Sequence, residues 1–188
     1  MKRLSFISFL LSAFLLMGFV ACEPINPEVP SVDSGGTDIT NPNDDIVESG
    51  YVDLGLSVKW AAANVGADTP EGYGDFYDYD EAVSKFGNNL PTGEQFQELQ
   101  NNCTWKWTTH KGTDGYKVTG PNGQSIFLPA AGYCDCSGDV DFVGTYGYYW
   151  SSSPDDSHLA WYLYVNSGRI IMNYSFRCIG LSVRIVQN

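Results

Sequence analysis

The chain has 188 residues, with 10 basic and 22 acidic side chains and a formal net charge of −12 at pH 7. This acidic balance repels phosphate backbones, so nucleic acid is excluded as an expected partner. The residues numbered 50–188 lie near the common size of a domain and predict one globular unit.

The N-terminus predicts a signal peptide over residues 1–21. Two basic residues precede a largely apolar stretch that ends at Ala21, and Cys22 follows. This order is typical of secretory signals. Phe19-Val20-Ala21 resembles a lipobox, so Cys22 is the predicted lipidation site of an outer-membrane, surface-exposed lipoprotein. A membrane-spanning signal anchor is the alternative, because about 20 apolar residues suffice to cross a bilayer.

Residues 22–49 predict a flexible tether. From residue 23 onward this segment contains seven acidic residues, no basic one, and turn-forming pairs such as Asn41-Pro42. Its small apolar surface cannot offset the entropy lost on ordering. The tether would therefore hold the domain, residues 50–188, away from the membrane.

Strand and helix signals then follow in chain order. Val52-Asp53-Leu54 and residues 58–61 predict strands around a turn at Gly55. Residues 80–86 predict a short helix. A second helix is predicted after Thr92, an N-cap candidate with Gln95 three residues later.

Four further strands are predicted in the C-terminal half. Residues 125–128 follow the Asn122-Gly123 turn signal. Residues 161–166 and 169–174 read as a hairpin around Ser167-Gly168. Alternation places Trp161, Leu163 and Val165 in the core and turns Tyr162, Tyr164 and Asn166 outward. Two outward tyrosines and an amide are typical of recognition surfaces. Residues 181–186 alternate strictly and predict a final strand.

The domain cysteines are Cys103, Cys134, Cys136 and Cys178. In an oxidising compartment they allow three pairings. Cys134 and Cys136 are too close in sequence to bond each other readily, so a bond from Cys103 or Cys178 to one of them is open. Zinc bound by Cys134, Cys136, His110 and His158 is an alternative that their spacing does not favour. We predict no metal and no cofactor.

Other reactive groupings favour structural roles. The acidic residues Asp75, Asp78, Asp80 and Glu81 lack the spacing of a calcium loop and are expected in a solvated, helix-capping segment. Ser151–Ser153 beside Asp155 and His158 lack the motif of a nucleophile elbow. The five tryptophans are expected mostly in the core, with sugar stacking by Trp105 and Trp107 as the alternative.

Several strings resemble the Fibrobacter succinogenes major paralogous domain family. They are YVDLGLSVKWA (51–61), NVGA (64–67), PEGYGD (70–75), LPT (90–92), LPAAG (128–132), GYYWSSS (147–153) and GLSVR (180–184). That family is similar to the C-type-lectin-like and formylglycine-generating superfamily and to the variable proteins of retroelements. One departure is the stretch 76–81, where relatives commonly have an Ala-Trp-Gly-Glu pattern.

The resemblance implies an α+β, C-type-lectin-like fold. It has two helices, a small twisted and mostly antiparallel sheet, and extensive ordered loops. Its ligand face would come from the C-terminal strands, and maps here onto Tyr162, Tyr164, Asn166, Arg169, Asn173, Tyr174, Phe176 and Arg177.

The expected function is that of a non-catalytic, adhesin-like or receptor-like module that binds an extracellular glycan or protein. The alternative is an accessory subunit of a surface assembly. A formylglycine-generating enzyme is the third reading and the weakest, because Cys134 and Cys136 do not form the reactive pair that it requires.

Overall fold

The computed structural model describes residues 46–188. The predicted signal peptide, the lipidation site Cys22 and the tether up to residue 45 lie outside the described residues. Residues 46–49, which the sequence assigned to the tether, contact the domain. Ile46 is buried and bridges to Ser125, and the Val47 N–H donates to the Ser125 carbonyl.

The described residues form many short strands and two α-helices. The strands are β1 (Tyr51–Val52), β2 (Lys59–Ala61), β3 (Phe76–Tyr77), β4 (Thr104–His110), β5 (Thr113–Thr119), β6 (Ser125–Pro129), β7 (Tyr133–Cys134), β8 (Val140–Asp141), β9 (Tyr146–Pro154), β10 (Leu159–Asn166), β11 (Arg169–Phe176), β12 (Leu181–Ser182) and β13 (Val186–Gln187). The helices are α1 (Tyr79–Phe86) and α2 (Gly93–Asn102), with a 3₁₀ turn at Gly87–Asn89 between them.

The largest sheet has the strand order β11-β10-β9-β12-β3. Strands β9, β10 and β11 form an antiparallel meander, and β12 joins it parallel to β9. The β10–β11 hairpin confirms the prediction for residues 161–174. Its register pairs Tyr162 with Asn173 and Tyr164 with Ile171.

Three smaller sheets complete the fold. Strands β4, β5 and β6 form an antiparallel sheet, and β6 confirms the strand predicted after Asn122-Gly123. Strands β1, β2 and β13 bring the two ends of the described chain together. Strands β7 and β8 form a short hairpin. Two helices with mostly antiparallel sheets confirm the predicted α+β class.

Both helices begin as their sequences predict. Asp78 caps α1 by accepting the Glu81 N–H. Thr92 caps α2 in a full capping box, because its hydroxyl accepts the Gln95 N–H while the Gln95 side chain accepts the Thr92 N–H. Phe96 and Leu99 on α2 are fully buried in the core. The capping residues therefore fix the helix that closes one face of the large sheet.

The C-terminal stretch differs from its prediction. Residues 181–186 are not one strand but two, because β12 pairs with β3 and β9 whereas β13 pairs with β2. Leu181 through Arg184 are all buried, so their alternation does not produce one solvent-exposed face and one buried face. The chain here runs between layers and is covered on both sides.

Arg184 is fully buried, and oxygen atoms accept hydrogen bonds from its guanidinium group. It donates to the Ala61 carbonyl at 3.0 Å, the Phe127 carbonyl at 2.7 Å and the Asn64 Oδ1 at 3.0 Å. Burial lowers the pKa of its guanidinium to about 10, against an opposing effect of Tyr149. Arg184 thus joins three separate segments of chain at the centre of the domain.

Candidate functional site

A tyrosine-rich surface lies on one face of the large sheet. The β9–β10 register pairs Tyr148 with Tyr164 and Tyr146 with Asn166. Since side chains alternate along a strand, these residues share one face. Tyr133 from β7 and Phe142, which follows β8, lie beside them. We call Tyr133, Phe142, Tyr146, Tyr148 and Tyr164 the tyrosine patch.

The rings of the tyrosine patch touch one another continuously. Phe142 lies 4.9 Å from Tyr146, and Tyr146 lies 5.7 Å from Tyr164, measured between ring centroids. Tyr148 is 5.4 Å from Tyr164 and 5.3 Å from Tyr133, both nearly edge to face. Such offset and edge geometries are the favourable ones for aromatic rings. The patch is therefore a packed platform rather than a set of independent side chains.

Exposure falls steadily along this face. Phe142 is 49% exposed, Tyr148 and Tyr164 are half-buried, and Tyr162 is only 7% exposed. Beyond Tyr162 the fully buried Trp150 packs edge to face against Tyr79 of α1. Helix α1 thus covers one end of the face and leaves the patch open at the other end.

Phe142 adopts a backbone conformation that is uncommon for a bulky residue. Its φ angle is 61°, in the left-handed region. Its carbonyl accepts the N–H groups of Thr145 and Tyr146, so a tight turn holds it there. Left-handed backbone costs a non-glycine residue roughly 1–2 kcal/mol. A cost of this kind, retained at an exposed ring, is typical of a functional position.

Hydrogen bonds and burial fix the state of the tyrosine hydroxyls. Asn166 Nδ2 donates to Tyr164 Oη at 2.7 Å, while Asn166 Oδ1 accepts the Gly168 N–H. Burial raises the pKa of Tyr148 well above its usual value, and neighbouring tyrosines led by Tyr164 raise it further. The pKa of Tyr162 is raised for the same two reasons. At neutral pH the hydroxyls of Tyr148 and Tyr162 are therefore uncharged donors and acceptors.

A disulfide anchors the loop next to the patch. Cys136 is bonded to Cys178, which joins the β7–β8 loop to the connection between β11 and β12. The Asp135 carboxylate accepts the N–H groups of Ser137 and Asp139, and these bonds lower its pKa. The Cys136–Cys178 disulfide resolves the pairing that the sequence left open for these two cysteines. Cys103 is the free cysteine of the described part of the chain.

The structure does not bring the eight predicted ligand residues together on one face. Tyr164 and Asn166 lie at the tyrosine patch, with Arg169 and Asn173 on the same face of the neighbouring strand. The prediction that the Tyr162 ring points into solvent is wrong. The ring is buried, because α1 and its flanking segments cover it.

The other three predicted residues lie elsewhere. Tyr174 and Phe176 project from the opposite face of β11, opposite Trp161 and Leu159. Arg177 donates to the carbonyls of Asp156 and Leu159 and pairs with Asp80. The guanidinium of Arg177 also stacks on the Tyr79 ring at 4.7 Å. Arg177 therefore has a structural role at the end of the sheet.

Sequence reasoning missed four members of the patch: Tyr133, Phe142, Tyr146 and Tyr148. A signal for two of them was present, because Tyr146 and Tyr148 alternate with Gly147, and in an extended segment this spacing places both tyrosines on one face. Tyr133 and Phe142 reach the patch through a separate hairpin, and short-range periodicity carries no information on such a contact.

The other groups of residues that the sequence offered for metal binding or catalysis do not come together in the structure. The zinc set does not assemble, because Cys136 is bonded to Cys178 and His110 lies against Glu48 and Glu71. Among the four acidic residues, Asp78 caps α1, Asp80 pairs with Arg177 and Glu81 pairs with Lys85.

The serine group is equally unfavourable for nucleophilic chemistry. The Ser151 hydroxyl is buried and donates to the Trp161 carbonyl, whereas His158 Nδ1 contacts its neighbour Ser157. Among the tryptophans, Trp60 and Trp150 are fully buried. Trp105 and Trp107 are half-buried and pack edge to face on Tyr116.

The fold and this surface define an α+β domain with an exposed aromatic platform. The chain belongs to the family described as Domain of unknown function (DUF8237), whose model matches residues 92–186. The matched residues include α2 and strands β4 to β12, and with them the whole tyrosine patch. No curated protein and no solved structure matches the chain.

Proposed function

We propose that the protein is a non-catalytic binding module that presents the tyrosine patch to an extracellular glycan or protein, with a glycan as the preferred class. The observation that carries this proposal is the continuous, partly exposed platform of five aromatic rings at the open end of the large sheet. Such rings combine apolar faces with polar edges and suit ligands that are themselves amphipathic.

The chemistry of the patch favours an uncharged ligand. All five patch residues are neutral, and the raised pKa of Tyr148 keeps its hydroxyl protonated. The net charge of −12 further disfavours anionic ligands. A sugar ring offers an apolar face for stacking and hydroxyls for hydrogen bonds with Tyr164 and Asn166. The patch therefore fits a neutral saccharide better than an acidic one.

Export to the cell surface is part of the same proposal. The Cys136–Cys178 disulfide supports an oxidising compartment, because such bonds persist mainly outside the cytosol. Among the described residues, no helix has both the length and the apolar character needed to cross a membrane. Attachment to the outer membrane through lipid on Cys22 completes the proposal. The motif strings likewise support kinship with the major paralogous domain family and a lectin-like fold.

A second surface favours a different function. Trp161 and Tyr174 contact edge to face at 5.4 Å, and Tyr174 and Phe176 are 51% and 63% exposed. Tyr174 and Phe176 lie on β11, at the edge of the large sheet, and Trp161 lies on the neighbouring strand β10. Exposed aromatic rings on an edge strand are typical of protein contacts. This edge patch, Trp161, Tyr174 and Phe176, favours an accessory subunit of a surface assembly.

Glycan and protein arrays probed with the full chain distinguish the two functions. The double variant Phe142→Ala/Tyr146→Ala should weaken capture of an array ligand by at least about 10-fold, as expected for central aromatic contacts. The matched control Tyr174→Ala/Phe176→Ala removes two exposed rings from the edge patch and should leave capture unchanged. Loss of binding in the control alone would contradict the proposal and support the accessory role.

A further inference from the structure

Three side chains from distant parts of the sequence, Glu48, Glu71 and His110, come together in the fold. His110 ends β4, Glu71 lies in the loop between β2 and β3, and Glu48 precedes β1. His110 Nε2 lies 3.9 Å from Glu48 Oε1 and 3.9 Å from Glu71 Oε2. The three ligand atoms all lie within 4.8 Å of one another.

Burial distinguishes this group from an ordinary surface ion pair. The His110 side chain is 4% exposed and that of Glu71 is 19% exposed. The His110 ring packs on Phe127 at 5.3 Å, which fixes its orientation. Glu71 Oε2 is buried and has no hydrogen-bond partner among residues 46–188. A buried carboxylate oxygen in this position is costly unless a proton or a cation satisfies it.

The separations suit ligands around one metal ion better than direct hydrogen bonds. At 3.9 Å, the two contacts of His110 are too long for hydrogen bonding. Two ligands of a tetrahedral zinc ion, each about 2.0–2.1 Å from the metal, lie roughly 3.4 Å apart. Glu48 is 53% exposed, so its side chain can make the small movement that closes the difference.

We propose that Glu48, Glu71 and His110 bind a divalent transition-metal ion of the zinc type. One imidazole nitrogen with two carboxylates favours this class over calcium or magnesium, which prefer all-oxygen sites. Lys111 Nζ lies 2.7 Å from Glu48 Oε2 and 4.0 Å from Glu71 Oε1. The ion therefore competes with an ammonium group for the carboxylates, which limits its affinity.

The site would act as a clamp at the start of the domain. Glu48 belongs to the segment that reaches the domain just before β1, whereas His110 and Glu71 belong to the domain body. A bound ion would join this segment to the body of the domain. This inference is independent of the tyrosine patch.

Zinc titration of the full chain in detergent tests the site. One equivalent of Zn²⁺ should raise the midpoint of thermal unfolding, and EDTA should reverse the rise. Glu71→Gln keeps the shape of the side chain but removes its charge. It should weaken zinc binding, measured by calorimetry, by at least about 10-fold, because even groups that only support metal ligands contribute that much.

The matched control is Glu81→Gln, which removes an exposed carboxylate that pairs with Lys85 on α1. It should bind zinc as the unmodified chain does. Equal zinc affinity in Glu71→Gln and the unmodified chain would overturn the site and assign binding to other groups.

A measurement on the unmodified chain guards against a variant that misfolds. The chain contains two histidines, His110 and His158. One equivalent of Zn²⁺ should shift the ring ¹⁵N resonance of His110 Nε2 and leave His158 in place. An unmoved His110 at saturating zinc, or a shift of His158 alone, would refute the proposal.

Discussion

Strand β10 separates two environments that are both rich in apolar groups but differ in how completely they are covered. On one face, Leu163 and Val165 are fully buried beneath α2 and the β4–β6 sheet. On the other face, Tyr162 is buried near α1 whereas Tyr164 stays half-exposed. We call these the closed face and the tyrosine face.

Tyr149 and Tyr148 show the same difference between adjacent residues. Tyr149 points to the closed face, is fully buried, and donates its hydroxyl proton to the Pro129 carbonyl. Tyr148 points to the tyrosine face, where its ring contacts other tyrosine rings, among them that of Tyr164. A ring on the closed face serves stability, whereas a ring at the open end remains available to a ligand.

Among changes on the two faces, Arg184→Met is expected to have the largest effect on the free energy of unfolding. Arg184 makes three hydrogen bonds beside the closed face, and its loss leaves the Ala61 and Phe127 carbonyls buried without their donor. We expect a loss of about 3–5 kcal/mol in the free energy of unfolding, measured with urea. Arg169→Met is the exposed control and should change stability by less than about 0.5 kcal/mol.

The two faces of β10 can be compared directly by truncating neighbours. Leu163→Ala removes a fully buried side chain and should cost about 3 kcal/mol in unfolding free energy. Tyr164→Ala removes a half-buried ring and should cost roughly 1 kcal/mol while weakening ligand capture. Equal destabilisation by both changes would show that the tyrosine face is as closed as its opposite.

Alkaline pH should destabilise the protein through the tyrosine face. The pKa values of Tyr148 and Tyr162 are raised by burial, so their stabilising effect is complete below pH 10 and is lost as pH rises above 10. Tyr149 and Arg184 shift oppositely, to about 12 and about 10, and largely offset each other over that range.

Tyr148→Phe tests this assignment. The variant cannot ionise at residue 148, so urea unfolding at pH 9 and pH 11 should show a smaller loss of stability than in the unmodified chain. An unchanged pH dependence would place the alkaline effect on other tyrosines, such as Tyr77, whose pKa is raised to about 12 mainly by burial.

The smallest effect is expected from Asn166→Ala. Asn166 donates to Tyr164 Oη and accepts the Gly168 N–H in the hairpin turn. Because this side chain is partly exposed, its removal should cost at most about 1 kcal/mol in unfolding free energy. It should weaken ligand capture several-fold by releasing Tyr164. Ser167→Ala, in the same turn, is the control.

The local elements could be predicted from the sequence because their signals are short-range. Thr92 and Gln95 alone specify the start of α2, and alternation with Ser167-Gly168 specifies the β10–β11 hairpin. Short-range signals could not predict which parts of each sheet face are buried by other elements. Tyr162 and Tyr164 have the same sequence pattern, yet Tyr162 is buried in a cluster with Tyr79 and Ala82 of α1 whereas Tyr164 is only partly buried, and this difference depends on residues far apart in the chain.

The candidate sites depend on the same long-range packing. Tyr164 and Asn166 were predicted from alternation, whereas Tyr133 and Phe142 reach the patch from another hairpin. The Cys136–Cys178 pairing and the approach of Glu48 and Glu71 to His110 likewise follow from topology. Residues 181–186 were predicted as one alternating strand, and the layer that buries Arg184 has no local signal.

Hydroxyl-radical footprinting tests the central claim most directly, namely that a ligand binds at the open end of the tyrosine face. The full chain would be oxidised with and without a saturating array ligand, and modification quantified at Phe142, Tyr146 and Tyr174. The account predicts protection of Phe142 and Tyr146 with Tyr174 unchanged. Protection of Tyr174 alone, with Phe142 and Tyr146 still reactive, would contradict it.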